Sequence, residues 1–339
     1  MVAPPWYEVP PTGYGGVELI VAALVDALVD HGHAVTLFGV GDGSGTAARF
    51  VGTTDEPQHH RMGAVMPALL HVARVNRWLA DGEFDVVHDH SEAGALSAGQ
   101  RPAPTVVTLH GPPHSEVGDF HGEVGDDISL VAISEAQRRQ RPQLPWVATV
   151  HNAIDPSAFV PRHSPDGPVL WLARFSPDKG PDLAIEACRA AGLPLVLAGK
   201  ANEDDERRYL REEVCPLLDD GVELILNPDR ARSLELLAEA RCLIMPIRWE
   251  EPFGMVMIEA MASGTPVVAL RRGSVPEIVA DGVTGWIRDD PAELPEALRR
   301  VGELDPDAGP AHIHRHFSAD LMASRYEKVY RRAVARGRG

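Results

Sequence analysis

Twice along this chain, short apolar runs alternate with segments of helical periodicity, and a proline-rich stretch separates the two series. Alternation of this kind predicts parallel sheets with helices on both faces, because a parallel strand pair needs a crossover and a helix supplies it. In the first series, residues 34–38, 85–88, 105–109, 130–133 and 147–150 read as buried strands. Residues 17–31, 62–81, 91–99 and 134–140 read as helices. Met1 to Ala3 reads as the tail of a first strand, too short for a buried parallel one, so that strand is expected to begin upstream of the chosen start. In the second series, strands are predicted at 169–173, 195–198, 222–226, 242–246, 266–269 and 285–287, and helices at 181–191, 203–218, 231–240, 254–263 and 292–302. One more helix follows from 318. Residues 156–168 hold Pro156 and three further prolines with little periodicity, and read as a linker. A length of 339 residues suits two domains of about 150 each. The expectation is therefore an α/β chain of two Rossmann-like, doubly wound parallel-sheet domains facing across a cleft. Their bounds are 1–160, with the helix 318–339 added, and 165–315.

The bulk numbers exclude several partners. Net charge is −17, of which −10 falls on residues 1–150, and this argues against nucleic acid and against an anionic membrane. No apolar run approaches the roughly 20 residues that span a bilayer, and no basic flank with an apolar core marks a secretory signal. The cysteines Cys188, Cys215 and Cys242 fit no disulfide framework or zinc spacing, and are expected to be reduced packing residues of a cytoplasmic protein. Lysine is nearly absent. Lys179, Lys200 and Lys328 stand among 32 basic residues.

The residues that carry chemistry lie at predicted strand ends. The strand at 169–173 runs into Arg174, and Lys179 precedes a Gly-Pro helix start. Either cation alone is a surface salt-bridge residue. Together, at the mouth of a sheet, they suit a diphosphate, which takes a bidentate guanidinium, an ammonium and free backbone N–H groups. After the strand at 242–246 comes Glu251-Pro252-Phe253-Gly254-Met255, with Glu259 eight positions beyond Glu251. Gly254 would open a helix and Glu259 would lie about one and a half turns in, a rise of roughly 8 Å. Glu259 there can span two adjacent ribose hydroxyls. Glu251 is as much a loop brace as a catalytic group. In the first series, Gly13-Tyr14-Gly15-Gly16 precedes a helix, so the N–H groups at Gly15 and Gly16 can meet phosphate. His110 leaves the strand at 105–109 and reads as catalytic or donor-positioning. His88-Asp89-His90 resembles a metal chelate, but alternate residues at this strand end are expected to point to opposite faces, so no metal is expected. His312, His314 and His316 read as a solvated helix approach. Met66, Leu69, Leu70, Val75 and Trp78, beside Arg61, Arg74 and Arg77, read as core packing with a wet face, a lipid or acceptor contact being the other reading. The run Gly39 to Gly45 mimics a dinucleotide loop, but no helix starts promptly after it.

These residues resemble the retaining glycosyltransferases of the large family 4, which have the two-domain GT-B fold. Gly15-Gly16, His110-Gly111, Asn152 with Asp155, Arg174 with Lys179, and Glu251-Pro252-Phe253-Gly254 through Glu259 carry the likeness. Ser263-Gly264-Thr265-Pro266 and Glu277-Ile278-Val279 with Gly285 also fit, so it covers nearly the whole chain. The resemblance implies that Glu259 grips the ribose of a nucleoside-diphosphate sugar and that Arg174 and Lys179 hold its diphosphate, which Gly15-Gly16 approaches. It implies that Glu251 and the N–H groups near Phe253, Gly254 and Met255 face the donor sugar, and that His110 meets one of its hydroxyls. The final helix would cross back to the first domain. Pro252 stands where the family often has Gly, and residues 40–130 match no one subfamily.

The implied reaction moves the sugar to a hydroxyl acceptor with retention, without a metal or other cofactor, Arg174, Lys179 and the helix N-terminus standing in for the divalent ion of other sugar transferases. UDP is the expected carrier, uracil being the family's commonest base. A soluble natural product, such as an antibiotic precursor, or an oligosaccharide is the expected acceptor, and no integral membrane contact is expected. The rival readings are a nucleotide-sugar epimerase of the same architecture and a non-catalytic nucleotide-sugar-binding protein.

Overall fold

The computed structural model describes every residue except Tyr14, His163, Arg338 and Gly339. The chain forms two compact units, Met1–Ile154 with Ala319–Gly339, and Asp155–Ser318.

In the first unit, β1 (Thr36–Val40) pairs with β2 (Arg49–Thr54), and β3 (Val87–Asp89), β4 (Thr105–Leu109), β5 (Ile128–Ala132) and β6 (Trp146–Thr149) follow one another in a second ladder, all parallel. Val2 joins the two ladders by bridging Phe38 on one side and Asp89 on the other. Its N–H donates to the His88 carbonyl at 2.8 Å, and the Ala3 N–H donates to that of Phe38 at 2.9 Å. Met1 to Ala3 thus fills the central strand's place, in the order β2, β1, Met1–Ala3, β3, β4, β5, β6. Successive side chains leave opposite faces of a strand. Val2 accordingly packs with Phe38, Val75 and Leu79, whereas Ala3 packs with Val21, Val25 and Leu37.

The helices of this unit are α1 (Gly16–Asp30), α2 (Val65–Asp81), α3 (Ser115–Val124), α4 (Glu135–Gln140) and, from the far end of the chain, α12 (Ala319–Gly337). On α12, Met322, Tyr326, Val329 and Ala333 are buried at helical spacing. The Tyr326 hydroxyl lies 2.8 Å from Thr108 Oγ1 and that of Tyr330 lies 2.7 Å from His88 Nδ1. Fixing two strand-end polar groups from one helix face ties α12 to this sheet.

The second unit has a six-stranded parallel sheet in the order β12-β11-β10-β7-β8-β9. Its strands are β7 (Val169–Arg174), β8 (Leu195–Lys200), β9 (Val222–Leu226), β10 (Cys242–Met245), β11 (Val267–Leu270) and β12 (Gly285–Arg288). Helices α5 (Pro181–Ala191), α6 (Asp204–Tyr209), α7 (Arg230–Glu239), α8 (Met255–Ala262), α9 (Val275–Ile278), α10 (Leu294–Arg299) and α11 (Ala308–His316) surround it. Trp171, Phe175, Leu197, Ile244, Leu294 and Leu298 share one core face. Each such side chain contributes about 1.5–3 kcal/mol on burial.

Several expectations needed correction. β2 and α3 carry little signal in the sequence, since Gly52 interrupts the apolar run of the one and polar residues dominate the other. Residues 93–100 form a 3-10 rather than an α-helix. The long helix expected at 203–218 is α6, then one π turn and a 3-10 turn at Pro216. The 156–168 stretch packs on the second unit: Phe159 is buried, and the Arg162 N–H donates to the Ser263 carbonyl at 2.9 Å. Cys188 and Cys242 are buried, but Cys215 is exposed.

Candidate functional site

In open α/β sheets, ligands bind beyond the strands' carboxyl ends where the strand order reverses. In the second unit that point lies between β7 and β10. The loops leaving these two strands carry Arg174 to Gly180 and Pro246 to Gly254. Gly180, at φ +66°, separates the Pro177–Lys179 turn from α5, and a Cβ there would stand 2.3 Å from the Pro246 carbonyl oxygen. The loops are therefore in van der Waals contact. Polar links hold them as well: the Arg248 N–H donates to the Asp178 carbonyl at 2.8 Å, and its guanidinium reaches Asp182 at 2.8 and 2.5 Å.

Across this junction the Lys179 ammonium donates to Glu251 Oε2 at 2.5 Å and lies 4.4 Å above the Trp249 ring. Trp249 Nε1–H donates to the same carboxylate oxygen at 3.1 Å. Arg174, half-exposed at the end of β7, donates to Glu206 Oε1 at 2.8 Å, and the other Glu206 oxygen accepts the N–H of Asn202 at 2.9 Å. Each cation is thus oriented by a carboxylate that is itself buried.

Gly254, at φ +80°, caps α8, where a Cβ would meet Met257 Cε at 2.7 Å and Glu251 Cγ at 3.3 Å. The first N–H groups of a helix have no intrahelical partner, which makes this end receptive to anions. One turn on, Glu259 is buried and its Oε1 accepts from Arg230 Nη1 at 2.7 Å. Burial pushes the Glu259 carboxyl above its usual range, and Arg230 opposes the shift. A strap after β11 encloses the loop from outside. The Gly273 N–H donates to Glu250 at 2.7 Å, the Ser274 N–H to the Glu251 carbonyl at 2.9 Å, and Ser274 Oγ to the Phe253 carbonyl at 2.7 Å.

In the first unit the order reverses beside Met1–Ala3 and β3. The loop after Ala3 ends at Gly15, whose φ is +153° and where a Cβ would stand 2.8 Å from Pro11. Gly16 begins α1, whereas Tyr14 lies outside the described residues. Glu18 in the first turn is buried, and burial raises its carboxyl to about 7. At the end of β4, His110 Nε2 lies 2.9 Å from His90 Nδ1, and burial pushes the His110 imidazole down to about 4.

Residues 14–128 match the family described as Glycosyltransferase Family 4, and residues 160–308 match that described as Glycosyl transferases group 1. The chain belongs to glycosyltransferase family 4. Family 4 enzymes of the GT-B fold are retaining and metal-independent. The chain is 27% identical to the phosphatidyl-myo-inositol mannosyltransferase of Mycolicibacterium smegmatis, covering 98% of this chain and 89% of that protein. Among solved structures it is similar to AviGT4, a glycosyltransferase involved in avilamycin A biosynthesis, with a TM-score of 0.75, 27% identity and coverage of 98% and 97%. HepE of Anabaena, solved with UDP and glucose, shares the fold at a TM-score of 0.70 and 20% identity over 93% and 95%.

Within this family 4 chain, the end of β7 and the loops after β7 and β10 carry Arg174, Lys179, Glu251, Phe253 and Gly254, with Met255 and Glu259 on α8; Lys179 and Glu251 are in contact, while Gly15, Gly16 and His110 belong to the first unit. Glu251 stands as the partner of Lys179, which gives it a bracing contact whatever else it does. Sequence reading missed Arg230, Glu206, Trp249 and the Gly273-Ser274 strap. Only Glu206 carried a local signal, the Glu203-x-x-Glu206 capping-box spacing.

Three other readings change. His88 and His90 share a face of the strand end, with ring centroids 4.0 Å apart. Among the described residues, however, no group of three metal-ligating side chains is placed to hold an ion. His312 lies inside α11, its Nε2 2.9 Å from the Ile278 carbonyl oxygen. On α2 the buried face is Pro67, His71, Val72, Val75 and Leu79, closed by His71 Nδ1 against Thr53 of β2 at 2.7 Å. Met66, Leu69, Leu70 and Trp78 are exposed, contrary to the core reading. The unread strand β2 covers the other side of the helix.

Proposed function

We propose that this enzyme transfers a sugar from a UDP-linked donor to a hydroxyl of a natural-product or oligosaccharide acceptor. Arg174 and Lys179 hold the diphosphate with the N–H groups at Gly254 and Met255. Glu259 takes the ribose hydroxyls, Gly15 and Gly16 approach the phosphates, and His110 meets a sugar hydroxyl. The observation that carries the reading is the convergence of two oriented cations, a helix N-terminus and a buried carboxylate at the switch point of one sheet.

In the reaction, the bond from the anomeric carbon to the diphosphate oxygen breaks while the acceptor oxygen bonds to the same face. The acceptor proton passes to a phosphate oxygen. Negative charge gathers on the leaving group, and fixed cations and N–H dipoles stabilise it where it develops, the largest kind of catalytic term. Glu251 keeps the Lys179 ammonium in place for this.

Thermal-shift screening of UDP-, GDP-, ADP- and dTDP-sugars tests the donor. A ligand at 100 times its dissociation constant adds about 2.7 kcal/mol of stability, so the true carrier stands out. Stabilisation by none of the four, or equal stabilisation of Glu259→Ala and wild type by the best of them, overturns the donor assignment. AviGT4, similar over nearly its whole length, supports the natural-product acceptor.

A second reading of the acceptor, a polyol headgroup on an anionic lipid, is favoured by one observation. Met62, Val65, Met66, Leu69, Leu70 and Trp78 are exposed around α2, and residues 57–80 hold Arg61, Arg74 and Arg77 without one acid. Cosedimentation with phosphatidylglycerol vesicles, but not with phosphatidylcholine vesicles, would select it.

A further inference from the structure

We propose that His90 is a positioning residue that sets the tautomer of His110, so that His110 offers Nδ1 as a hydrogen-bond acceptor to a hydroxyl of the donor sugar. The inference rests on the donor reading above for the identity of the hydroxyl, but not for the tautomer.

The backbone of His110 is fixed first. Gln137 on α4 is fully buried, and its side-chain amide donates to the Leu109 carbonyl at 2.8 Å and to the Gly111 carbonyl at 2.7 Å. Its Oε1 accepts the Ile133 N–H at 2.8 Å. All three bonds require the same amide orientation, so one side chain grips the carbonyl on either side of His110. Ser134 in turn caps α4 by accepting the Gln137 N–H at 2.9 Å.

The ring is fixed next. His90 is buried at the end of β3, with Nδ1 2.9 Å from His110 Nε2 and Nε2 3.1 Å from the Met1 sulfur. Burial holds both imidazoles below their ordinary range, so each is neutral and one proton lies between them. A thioether only accepts, hence His90 carries its proton on Nε2 and turns a lone pair on Nδ1 towards His110. His110 must then donate from Nε2, which leaves its Nδ1 as a lone pair. That atom is buried and has no hydrogen-bond partner within the protein. An unsatisfied buried acceptor costs free energy in the unliganded protein, and a sugar hydroxyl that donates to it removes the cost on binding. The neighbouring His88 is engaged separately, with Tyr330 and Thr108.

The test is a long-range 1H–15N spectrum of the full-length protein, with His110 assigned by its absence from His110→Ala. The wild type is expected to show His110 protonated on Nε2. His90→Gln should keep that state, because the amide oxygen replaces the imidazole lone pair, and His90→Leu should release it to a tautomer mixture. Affinity for UDP-glucose relative to UDP should fall in His90→Leu by the fraction of His110 that leaves this tautomer, about twofold for an even mixture, and recover in His90→Gln. Protonation of His110 on Nδ1 in the wild type overturns the proposal, as does the wild-type tautomer in His90→Leu. If His90→Leu does not fold, His90→Ala, which also lacks an acceptor at this position, takes its place in the comparison. Failure of the donor reading is distinguishable, since UDP would then not bind the wild type at all.

Discussion

Glu259 and Arg230 decide each other's chemistry. With one carboxylate oxygen 2.7 Å from the guanidinium and the carboxyl buried, neither charge is cheap to leave alone. Removing one partner of a buried pair costs about 3–5 kcal/mol, and the lower end applies because Arg230 is partly exposed. Arg230→Ala should therefore lose about 3 kcal/mol in urea unfolding, and Arg230→Ala with Glu259→Gln should lose clearly less than the two single losses together. Strict additivity would show the pair to be uncoupled. Glu259 was legible because its spacing from Glu251 is local. Arg230 was not, since it opens a different helix 29 positions away and looks like any first-turn arginine. Glu18 supplies a pH prediction. Its carboxyl sits at about 7 in the fold against 4.5 when free, so the folded chain binds the extra proton. The stability it contributes is complete below about pH 4.5 and is lost as pH rises through 7. Glu18→Gln should remove that slope and be more stable than wild type at pH 8 by on the order of 2–3 kcal/mol, read from melts across pH. An unchanged slope would place the titration elsewhere.

The elements that build the second unit's site are loops held from behind rather than helices packed together. Gly273 shows why a strap is needed. At φ +52°, a Cβ there would stand 2.3 Å from both the amide nitrogen and the carbonyl oxygen of Glu251. Gly273→Ala should push the Glu250–Phe253 segment outward, lower turnover by at least tenfold, and destabilise by about 1–3 kcal/mol, the cost of a strained backbone position. Gly192→Ala is the control: its φ is +72°, but nothing lies within 4 Å of the added methyl. It should carry only the conformational penalty and keep turnover. Equal losses of activity in both would show that the close approach to Glu251 is unimportant. The Glu-x7-Glu helix opening was plain in the sequence because strand, loop and helix are consecutive there. The strap was not, because strand β11 intervenes and the contact is made through backbone atoms.

At the scale of the molecule, both sheets were legible as alternation, and the second was read more completely than the first. Its strands are continuous apolar runs, whereas the first unit hides a strand in Arg49–Thr54 and lends its central position to only Met1–Ala3. The unread strand also misdirected the reading of α2, because one missing neighbour reverses which face of a helix is covered. The closing helix was recognised by its apolar spacing, but its polar contacts were not. Tyr326, 1% exposed, joins Thr108, and Tyr330 joins His88, so α12 completes hydrogen bonds at the ends of β4 and β3. Tyr326→Phe should cost about 1 kcal/mol in denaturant unfolding. Truncation after Ser318 should leave 155–318 resistant to limited proteolysis while 1–154 is degraded. Survival of 1–154 would show that its core closes without α12.

That discontinuity also bears on how the protein is made. Residues 1–154 leave the ribosome first, yet the helix that completes their core follows all of residues 155–318. At about 5–20 residues per second, those intervening 164 residues take roughly 8–33 s to translate. The second unit is contiguous and can finish folding during that interval. The first must wait with its seam open, and it is the half that chaperones would be expected to hold.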